Sequence, residues 1–475
     1  MRDVLASMTP ERAWQSLRAI ANRPFVKSVS VLAGGAAFAQ ALAILVLPVL
    51  TRLYSPDEFG VLGVFASSLG IFSVAACLRF EIAIPIPERD DEALQILFLA
   101  IVGALTAFAG IALVSLVGMR AIQARLESPL PEFFYWLLPV GVLGASLYNA
   151  LLYWTTRKKN FSLIARTRLW QSSGASAIQV GLGVACLGPL GLVFGQLFNS
   201  LGGLLSFSRE LFRAEPNLWS KVSWQEMKRL FGVYRAFPLF STWEALVNGA
   251  SLHLPILFLV ALVGDTEVGF LFLALKLTQI PSTLIGAAIG QVYLTEAPLA
   301  QREGRLGEFN LRVIGGILKT GVGPLLFAGL LAPNVLHVVL GDEYDRVGHL
   351  VVWLLPLAIT QLIVAPVSMC LHVLKKTGVA LSLQIFGLIL RCWAVMFPFW
   401  GLDAVECYAI TGWVFYSLYL VVVLFQASPK IAWVAKELRA GIAITVFWGF
   451  LATLTIFLLG YFGPTLFKNT IELNV

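Results

Sequence analysis

Charged residues are scarce in this sequence. They make up 13% of its 475 residues, about half the share of a typical soluble domain, whereas hydrophobic types make up 58% and mean hydropathy is +0.82. A soluble protein of this length needs a polar surface that these numbers do not supply. The composition therefore excludes a soluble enzyme, a disordered chain and a secreted disulfide scaffold, and it favours an all-α polytopic membrane protein.

The sequence also lacks the short motifs of common catalytic and cofactor sites. It contains no Walker A, dinucleotide-binding, H-E-x-x-H or G-x-S-x-G motif. Its five cysteines form no C-x-x-C pair and lie in or at the ends of apolar runs, which is typical of small buried hydrophobes rather than metal ligands. We therefore expect no enzyme activity, no cofactor, no metal and no ATP-driven transport by this chain alone. The net charge of +7 indicates the positive-inside bias of membrane proteins rather than nucleic-acid binding.

Runs of about 20 apolar residues, long enough to cross a hydrocarbon layer roughly 30 Å thick, recur along the whole chain. They predict thirteen spans, at 29–50, 60–84, 93–118, 133–155, 170–187, 190–207, 237–263, 269–293, 313–340, 348–373, 379–400, 405–426 and 440–462. Counts of twelve or fourteen stay open, and with them the side of the C-terminus.

The positions of lysine and arginine predict the orientation. Of the 34 basic residues, 26 lie in one set of alternating segments and five in the opposite set. This asymmetry predicts a cytoplasmic N-terminus, with residues 1–28 forming a basic amphipathic segment on the membrane surface. The outer loops are short, so no external domain exists that would house a catalytic site. We expect a multi-pass protein of the bacterial cytoplasmic (inner) membrane.

Two hairpins of the predicted helices resemble each other. LPVLTRLYSPDEFGVLGVF begins at Leu47 and LPILFLVALVGDTEVGFLFLA begins at Leu254, and both combine Leu-Pro, an acidic turn ending in glycine and an apolar run. Six spans separate them, so the two halves share one orientation, as in parallel repeats. We expect two six-helix lobes, 29–207 and 237–426, joined by an amphipathic cytoplasmic linker, 208–236. The segment 427–475 adds a loop, an extra C-terminal transmembrane helix and a tail.

Ionisable groups inside predicted spans mark the expected translocation path, because a charge at mid-bilayer costs about 2.5–3.5 kcal/mol on insertion scales. The candidates are Arg79, Glu81, Glu244, His253, Lys276 and Arg391. The deep cations Arg391 and Lys276 would attract an anionic headgroup, with Glu244 as counter-charge or ion-coupling site. Alternative interpretations stay open: Lys276 reaching to the outer surface, Arg79 and Glu81 as an interfacial anchor, and His253 as a neutral structural histidine.

The stretch 47–93 resembles the opening of Wzx-type polysaccharide transporters, the O-antigen and exopolysaccharide flippases of the MOP superfamily. The resemblance rests on T-R-L-Y-S-P-D-E-F-G at 51–60 and L-R-F-E-I-A-I at 78–84. It implies a polyprenyl-pyrophosphate-linked oligosaccharide that moves from the cytoplasmic to the periplasmic leaflet by alternating access, with coupling to a proton or sodium gradient. Arg79 and Glu81 would shape the cytoplasmic entrance. A glycan polymerase and a chain-length regulator are the protein partners to be expected, and nucleic acid is not.

Three other functions are alternatives to this flippase. A multidrug or metabolite exporter of related architecture would need an acidic cavity for cationic drugs, which the sequence does not show. A flippase for the lipid-linked peptidoglycan precursor would share nearly every feature. A membrane enzyme such as a glycan polymerase or ligase would need a sizeable external loop with catalytic groups.

Overall fold

The computed structural model describes residues 24–123, 131–214, 222–374, 376–427, 439 and 441–456, and in those ranges the chain is helical and contains no strand. The helices, numbered in chain order, are α1 Pro24–Leu53, α2 Pro56–Ala76, α3 Phe80–Ala83, α4 Asp90–Gln123, α5 Glu132–Arg157, α6 Phe161–Val184, α7 Pro189–Leu201, α8 Leu204–Ala214, α9 Trp224–Val233, α10 Thr242–Arg302, α11 Leu306–Ile317, α12 Gly323–Leu340, α13 Asp345–Val367, α14 Met369–Val373, α15 Thr377–Met396, α16 Ala404–Ala427 and α17 Gly441–Ile456. The predicted surface segment at the N-terminus lies almost entirely outside these residues.

The helices confirm the predicted class of protein. Nine helical stretches of the described residues are long and apolar enough to cross a membrane, so the chain is a multi-pass membrane protein. Each of the thirteen predicted spans falls on a helix, and one candidate span, Phe237–Ile280, takes in two of them. The grouping into two lobes of six helices stays a prediction.

Two predicted boundaries are wrong, and both errors affect the site. Helix α2 ends at Ala76, because Leu78 and Arg79 adopt left-handed backbone conformations with φ of 51° and 60°. Arg79 and Glu81 therefore lie beyond the second span rather than inside it. Helix α6 begins at Phe161, where the Asn160 side chain accepts a hydrogen bond from the backbone N–H of Leu163. Residues 156–169, which separate the predicted spans 133–155 and 170–187, therefore lie largely in the first turns of α6.

The long helix α10 is broken at Gly264, whose φ of 85° and ψ of 174° suit only glycine. The break separates residues 242–263, here α10a, from residues 265–302, here α10b. Both parts pack on α2: His253 of α10a lies against Gly70, and Phe272 of α10b lies against Gly63. The chain therefore turns back at Gly264, as the predicted hairpin requires.

Helix α2 starts with a capping box. Ser55 Oγ accepts from the backbone N–H of Glu58 at 3.4 Å, and Glu58 Oε2 accepts from the backbone N–H of Ser55 at 2.7 Å. Pro56 occupies the first helical position, where its missing N–H costs no hydrogen bond. The S-P-D-E sequence at 55–58 therefore fixes the point at which the chain leaves the first turn and enters α2.

We expect Ser55→Ala to destabilise the protein by about 1 kcal/mol, because two backbone N–H groups lose their capping partners or the geometry that holds them. The midpoint of thermal unfolding in detergent checks this expectation. Ser162→Ala is a matched control, since Ser162 lies inside the first turn of α6 and donates only to the Asn160 side chain. Equal midpoints for the two variants would contradict the capping role.

Helices α1 and α2 separate after their shared turn. Helix α1 packs mainly on α6, whereas α2 packs on both parts of α10 and on α5. In the second half of the chain, α13 packs between α10, α12 and α16, and α15 packs on α10 and α16. This divergence of α1 from α2 leaves space inside the helix assembly.

The two turns that resemble each other in sequence contact each other in the fold. A Cβ atom at Gly60 would overlap the carbonyl oxygen of Asp265, and a Cβ atom at Gly269 would overlap the carbonyl oxygen of Pro56. The contact is reciprocal, as between two segments related by a two-fold axis. Thr266 Oγ1 also donates a hydrogen bond to Asp57, next to this crossing. The contact joins the two stretches that resemble each other, and the repeat itself stays a prediction.

Buried aromatic residues pack next to this contact between the two turns. The hydroxyl of Tyr344 donates to the backbone carbonyl of Tyr54, and the hydroxyl of Tyr54 donates to the backbone carbonyl of Gln179 at 2.6 Å. Phe59 and Phe270 meet the ring of Tyr344 edge-on, with centroids 6.0 and 6.2 Å apart. The motif at 51–60 on which the family resemblance rests therefore belongs to a buried contact between the first and second halves of the chain.

Candidate functional site

A central cavity of about 570 Å³ lies between helices from both halves of the chain. Helices α2, α7, α10a, α10b, α13, α15 and α16 line it. Its polar lining includes Ser67, His253, Lys276, Gln279, Gln361 and Arg391. Three of the six predicted site residues, His253, Lys276 and Arg391, thus share one cavity, although more than a hundred residues of chain separate Arg391 from the other two.

Arg391 is the most deeply buried of these groups, with 2% of its surface exposed. Its Nη1 donates to the carbonyl oxygen of Ser251 at 2.7 Å and to the Ser251 hydroxyl at 3.3 Å. Its guanidinium carbon lies 4.6 Å from the ring centroid of Phe415 and 5.3 Å from that of Tyr416. Its Nε and Nη2 are buried and have no hydrogen-bond partner among the described residues. Protein contacts therefore fix the position of the guanidinium, and its Nε and Nη2 stay available as donors to a ligand.

Lys276, on α10b, lines the central cavity and also a second one. No hydrogen bond or ion pair joins its ammonium group to the part of the chain that the structure describes. The interpretation of Lys276 as a side chain that only reaches to the outer surface therefore does not account for its place in two cavity walls. His253 lies against Gly70 at the same cavity and likewise has no hydrogen bond to a described residue.

The second cavity, about 540 Å³ in volume, lies between α1, α5, α6 and α7. Side-chain amides dominate its polar lining: Gln40, Asn149, Gln171, Gln179, Gln196 and Asn199. We call it the amide cavity. Gln196 and Lys276 line both the amide cavity and the central cavity, so the two are adjacent.

A third, smaller cavity of about 260 Å³ contains Arg79, Glu81, Tyr153 and Arg168. Arg79 Nη1 lies 3.5 Å from Glu81 Oε1, and Glu81 is 5% exposed. Burial raises the pKa of Glu81 above its ordinary value, and the guanidinium of Arg79 acts in the opposite direction. Arg168 and Asn149 line this small cavity and the amide cavity alike, so the three cavities lie next to one another in a series.

Sequence reasoning missed Arg168. The predicted span begins only at residue 170, but α6 begins at Phe161 and carries Arg168 into the wall of two cavities. The signal that would have placed it is Asn160, a preferred N-cap residue ahead of an apolar segment.

Glu244 takes a different place from the one expected. It is half-buried near the start of α10a, and none of the three cavities has it in its lining. The structure therefore does not bring Glu244 together with Arg391 and Lys276 as a counter-charge at the cavity wall.

The series of cavities is strongly cationic. Four basic side chains line it, Arg79, Arg168, Lys276 and Arg391, whereas Glu81 is the single carboxylate in these linings among the described residues. Glu81 is already paired with Arg79. An aqueous cavity of this sign in a low-dielectric surrounding attracts anions and repels cations. The three cavities therefore suit a ligand that carries an anionic group and many hydrogen-bonding groups.

Comparisons with known proteins agree with this architecture. A family model described as a polysaccharide biosynthesis protein matches residues 49–348, more than half of the chain. No curated protein matches the sequence.

Several solved structures share the fold. The lipid II flippase MurJ in an inward closed conformation has a TM-score of 0.63 and 11% identity, over 92% of this chain and 99% of that one. An inward-facing multidrug resistance MATE family transporter of the MOP superfamily has a TM-score of 0.57 and 16% identity, over 82% and 94%. A MOP superfamily transporter from Pyrococcus furiosus, for which reverse polarity of the binding pocket suggests a different function, has a TM-score of 0.51 and 14% identity, over 84% and 94%. At these identities the likeness establishes that the chain shares the fold of these structures.

Proposed function

The chain belongs to the polysaccharide biosynthesis protein family, and from this premise we propose that it is a flippase for lipid-linked oligosaccharides. Family membership and the MOP superfamily fold confirm the resemblance found in the sequence. In the proposed reaction, a polyprenyl-pyrophosphate-linked repeat unit moves from the cytoplasmic to the periplasmic leaflet of a bacterial inner membrane. The product then serves O-antigen or exopolysaccharide synthesis.

The observation that carries this proposal is the pair of cations in the central cavity. Arg391 has buried donors without partners, and Lys276 has no partner within the described residues. A pyrophosphate supplies several acceptor oxygens and negative charge, and a guanidinium fork suits phosphate. Leaving such cations unpaired is costly in a membrane protein, so their presence in a cavity favours an anionic ligand.

Alternating access gives the two ends of the cavity series different roles. The contact of Gly60 with Asp265 and of Gly269 with Pro56 closes one end. The pair Arg79–Glu81 lies at the other end, in the small cavity. We assign the closed end to the periplasmic side, on the strength of the positive-inside asymmetry, and the small cavity to the cytoplasmic entrance. The polyprenol tail stays in the lipid while the headgroup crosses.

The charge of the cavities disfavours the export of cationic drugs. Such substrates call for unpaired carboxylates, and the one carboxylate in these linings, Glu81, is paired with Arg79. A flippase for the peptidoglycan precursor would use the same pyrophosphate chemistry, so charge does not separate it from the leading proposal. We also propose coupling to a proton or sodium gradient. No residue is assigned to this coupling, because Glu244 lies outside the cavity linings.

Deletion of the gene tests the proposal. We expect the polyprenyl-linked repeat unit to accumulate in the cytoplasmic leaflet and surface glycan to disappear, with both restored by the wild-type chain on a plasmid. Protection of the accumulated glycan from an added glycosidase in right-side-out membrane vesicles reports the leaflet. Intact surface glycan without accumulation would refute the proposal, and loss of viability with accumulation of the peptidoglycan precursor would favour the sister function.

A further inference from the structure

The amide cavity contains polar groups that the protein itself does not use. Gln40, Asn149, Gln196 and Asn199 line it, and their side-chain amides make no hydrogen bond to any residue that the structure describes. These four residues lie on three helices: Gln40 on α1, Asn149 on α5, and Gln196 and Asn199 on α7. In membrane helices, amides usually bond across to neighbouring helices. Here they face a cavity instead.

We propose that the amide cavity is the subsite for the uncharged sugars of the transported headgroup, next to a pyrophosphate subsite in the central cavity. The inference rests on the proposed flippase function and adds to it where the glycan binds and which sugars it favours. An amide presents both donors and an acceptor, and a sugar hydroxyl likewise donates and accepts. A set of unpartnered amides on several helices therefore matches a hydroxyl-rich surface better than it matches a point charge or an apolar chain.

The arrangement of charge separates the two subsites. Both cations in the lining of the amide cavity are shared with a neighbouring cavity: Lys276 also lines the central cavity, and Arg168 also lines the small cavity. Four of the six amides, Gln40, Gln171, Gln179 and Asn199, line only the amide cavity among the three, and no carboxylate among the described residues lines it. Such an interior favours neutral sugars, because an acidic sugar placed among the amides would lose hydration without gaining a guanidinium or ammonium partner.

The geometry allows one headgroup to occupy both cavities. Lys276 and Gln196 line both, so a phosphate held near Lys276 and Arg391 leaves the attached sugars next to the amides. The amide cavity has a volume of about 540 Å³, within the range of roughly 300–1,000 Å³ that encloses small organic ligands. It therefore accommodates a short oligosaccharide rather than a single phosphate.

The test uses two lipids that differ only in the glycan. One is the polyprenyl-pyrophosphate-linked repeat unit extracted from the deletion strain, and the other is undecaprenyl pyrophosphate without sugar. Binding of each to the purified full-length protein in lipid nanodiscs is measured for wild type, for Gln40→Leu with Asn149→Leu, and for Lys276→Met. We expect the double amide variant to bind the glycan-bearing lipid about tenfold more weakly while its binding of undecaprenyl pyrophosphate stays unchanged. Lys276→Met is expected to weaken both.

Matched variants control for the loss of an amide as such. Gln384→Leu and Asn248→Leu remove amides from membrane helices at positions outside the three cavity linings, and neither should change binding. The conservative pair Gln40→Asn with Asn149→Gln should restore part of the lost affinity.

Three results would overturn the assignment in distinguishable ways. Unchanged affinity of the double amide variant for the glycan-bearing lipid rejects the amide cavity as the glycan subsite, whereas the flippase proposal stands. Equal weakening for both lipids rejects a glycan-specific role. Failure of the wild-type protein to bind either lipid removes the proposed function and the subsite with it.

Discussion

Lys276→Met is expected to reduce translocation of the lipid-linked glycan at least tenfold while the protein still inserts and folds. The substitution removes the charge and keeps an unbranched side chain of similar length. A hydrogen bond to a charged group contributes about 1.5–3 kcal/mol, and each 1.4 kcal/mol is about a tenfold change. Because Lys276 has no protein partner among the described residues, its loss leaves no other group unsatisfied. The thermal midpoint in detergent should stay the same or rise.

The measurement is surface glycan in the complemented deletion strain, followed by flipping in proteoliposomes. Lys228→Met is the matched control, because Lys228 is exposed on α9, outside the three cavity linings. Arg391→Ala should also abolish surface glycan, but it removes the partner of Ser251 and of the rings of Phe415 and Tyr416 as well. Lys276 is therefore the cleaner test of charge. Wild-type glycan in both variants would remove the two cations from the mechanism.

Gly60→Val and Gly269→Val are the second pair of variants with a large expected effect. A Cβ atom at either position would overlap a backbone carbonyl, of Asp265 or of Pro56. A backbone atom moves only with its helix, so α2 must separate from α10 before the side chain fits. Overpacking of this kind costs about 1–3 kcal/mol, which acts on the closed state alone. We expect transport to fall more than tenfold because this end no longer closes.

A disulfide across the same contact measures closure directly. Asp57→Cys with Thr266→Cys places two thiols where the native side chains are hydrogen-bonded. This cross-link should form readily and block transport, and its reduction should restore transport. Either valine substitution should lower the yield of the cross-link. Gly110→Val is the control, since no atom lies within 4 Å of a Cβ at Gly110. Full transport by Gly60→Val would show that the contact is not needed in the cycle.

The fold class and nearly all helices could be predicted from the sequence. A run of about 20 apolar residues is a local property, and such a run is long enough to cross the bilayer as a helix. The errors fell where local backbone conformation decides the outcome. The left-handed Leu78 and Arg79 end α2 early, and the cap at Asn160 starts α6 early. Neither the early end of α2 nor the early start of α6 changes the hydropathy of its segment. The apolar pattern alone therefore does not show where these helices end and begin.

The candidate site was predictable only in part. Depth within a span singled out Arg391 and Lys276, since a lone cation there has to face an interior space, and both line the central cavity. The same reasoning gave Glu244 a position opposite the cations, and the structure places it outside the cavity linings. Depth along a helix is a property of one segment, whereas the direction a side chain faces depends on which helix packs beside it.

The sequence by itself determined a multi-pass helical membrane protein with more cations than acids inside its spans, because composition and hydropathy are sums over neighbouring residues. The tertiary structure alone decided which polar groups meet. It brought Arg391 to Ser251 across 140 residues, placed Arg168 in a cavity wall, and gathered amides from α1, α5, α6 and α7 around one space. It also set Gly60 and Gly269 against each other's turns. Such contacts depend on the packing of helices that are distant in the chain, and no local pattern contains that information.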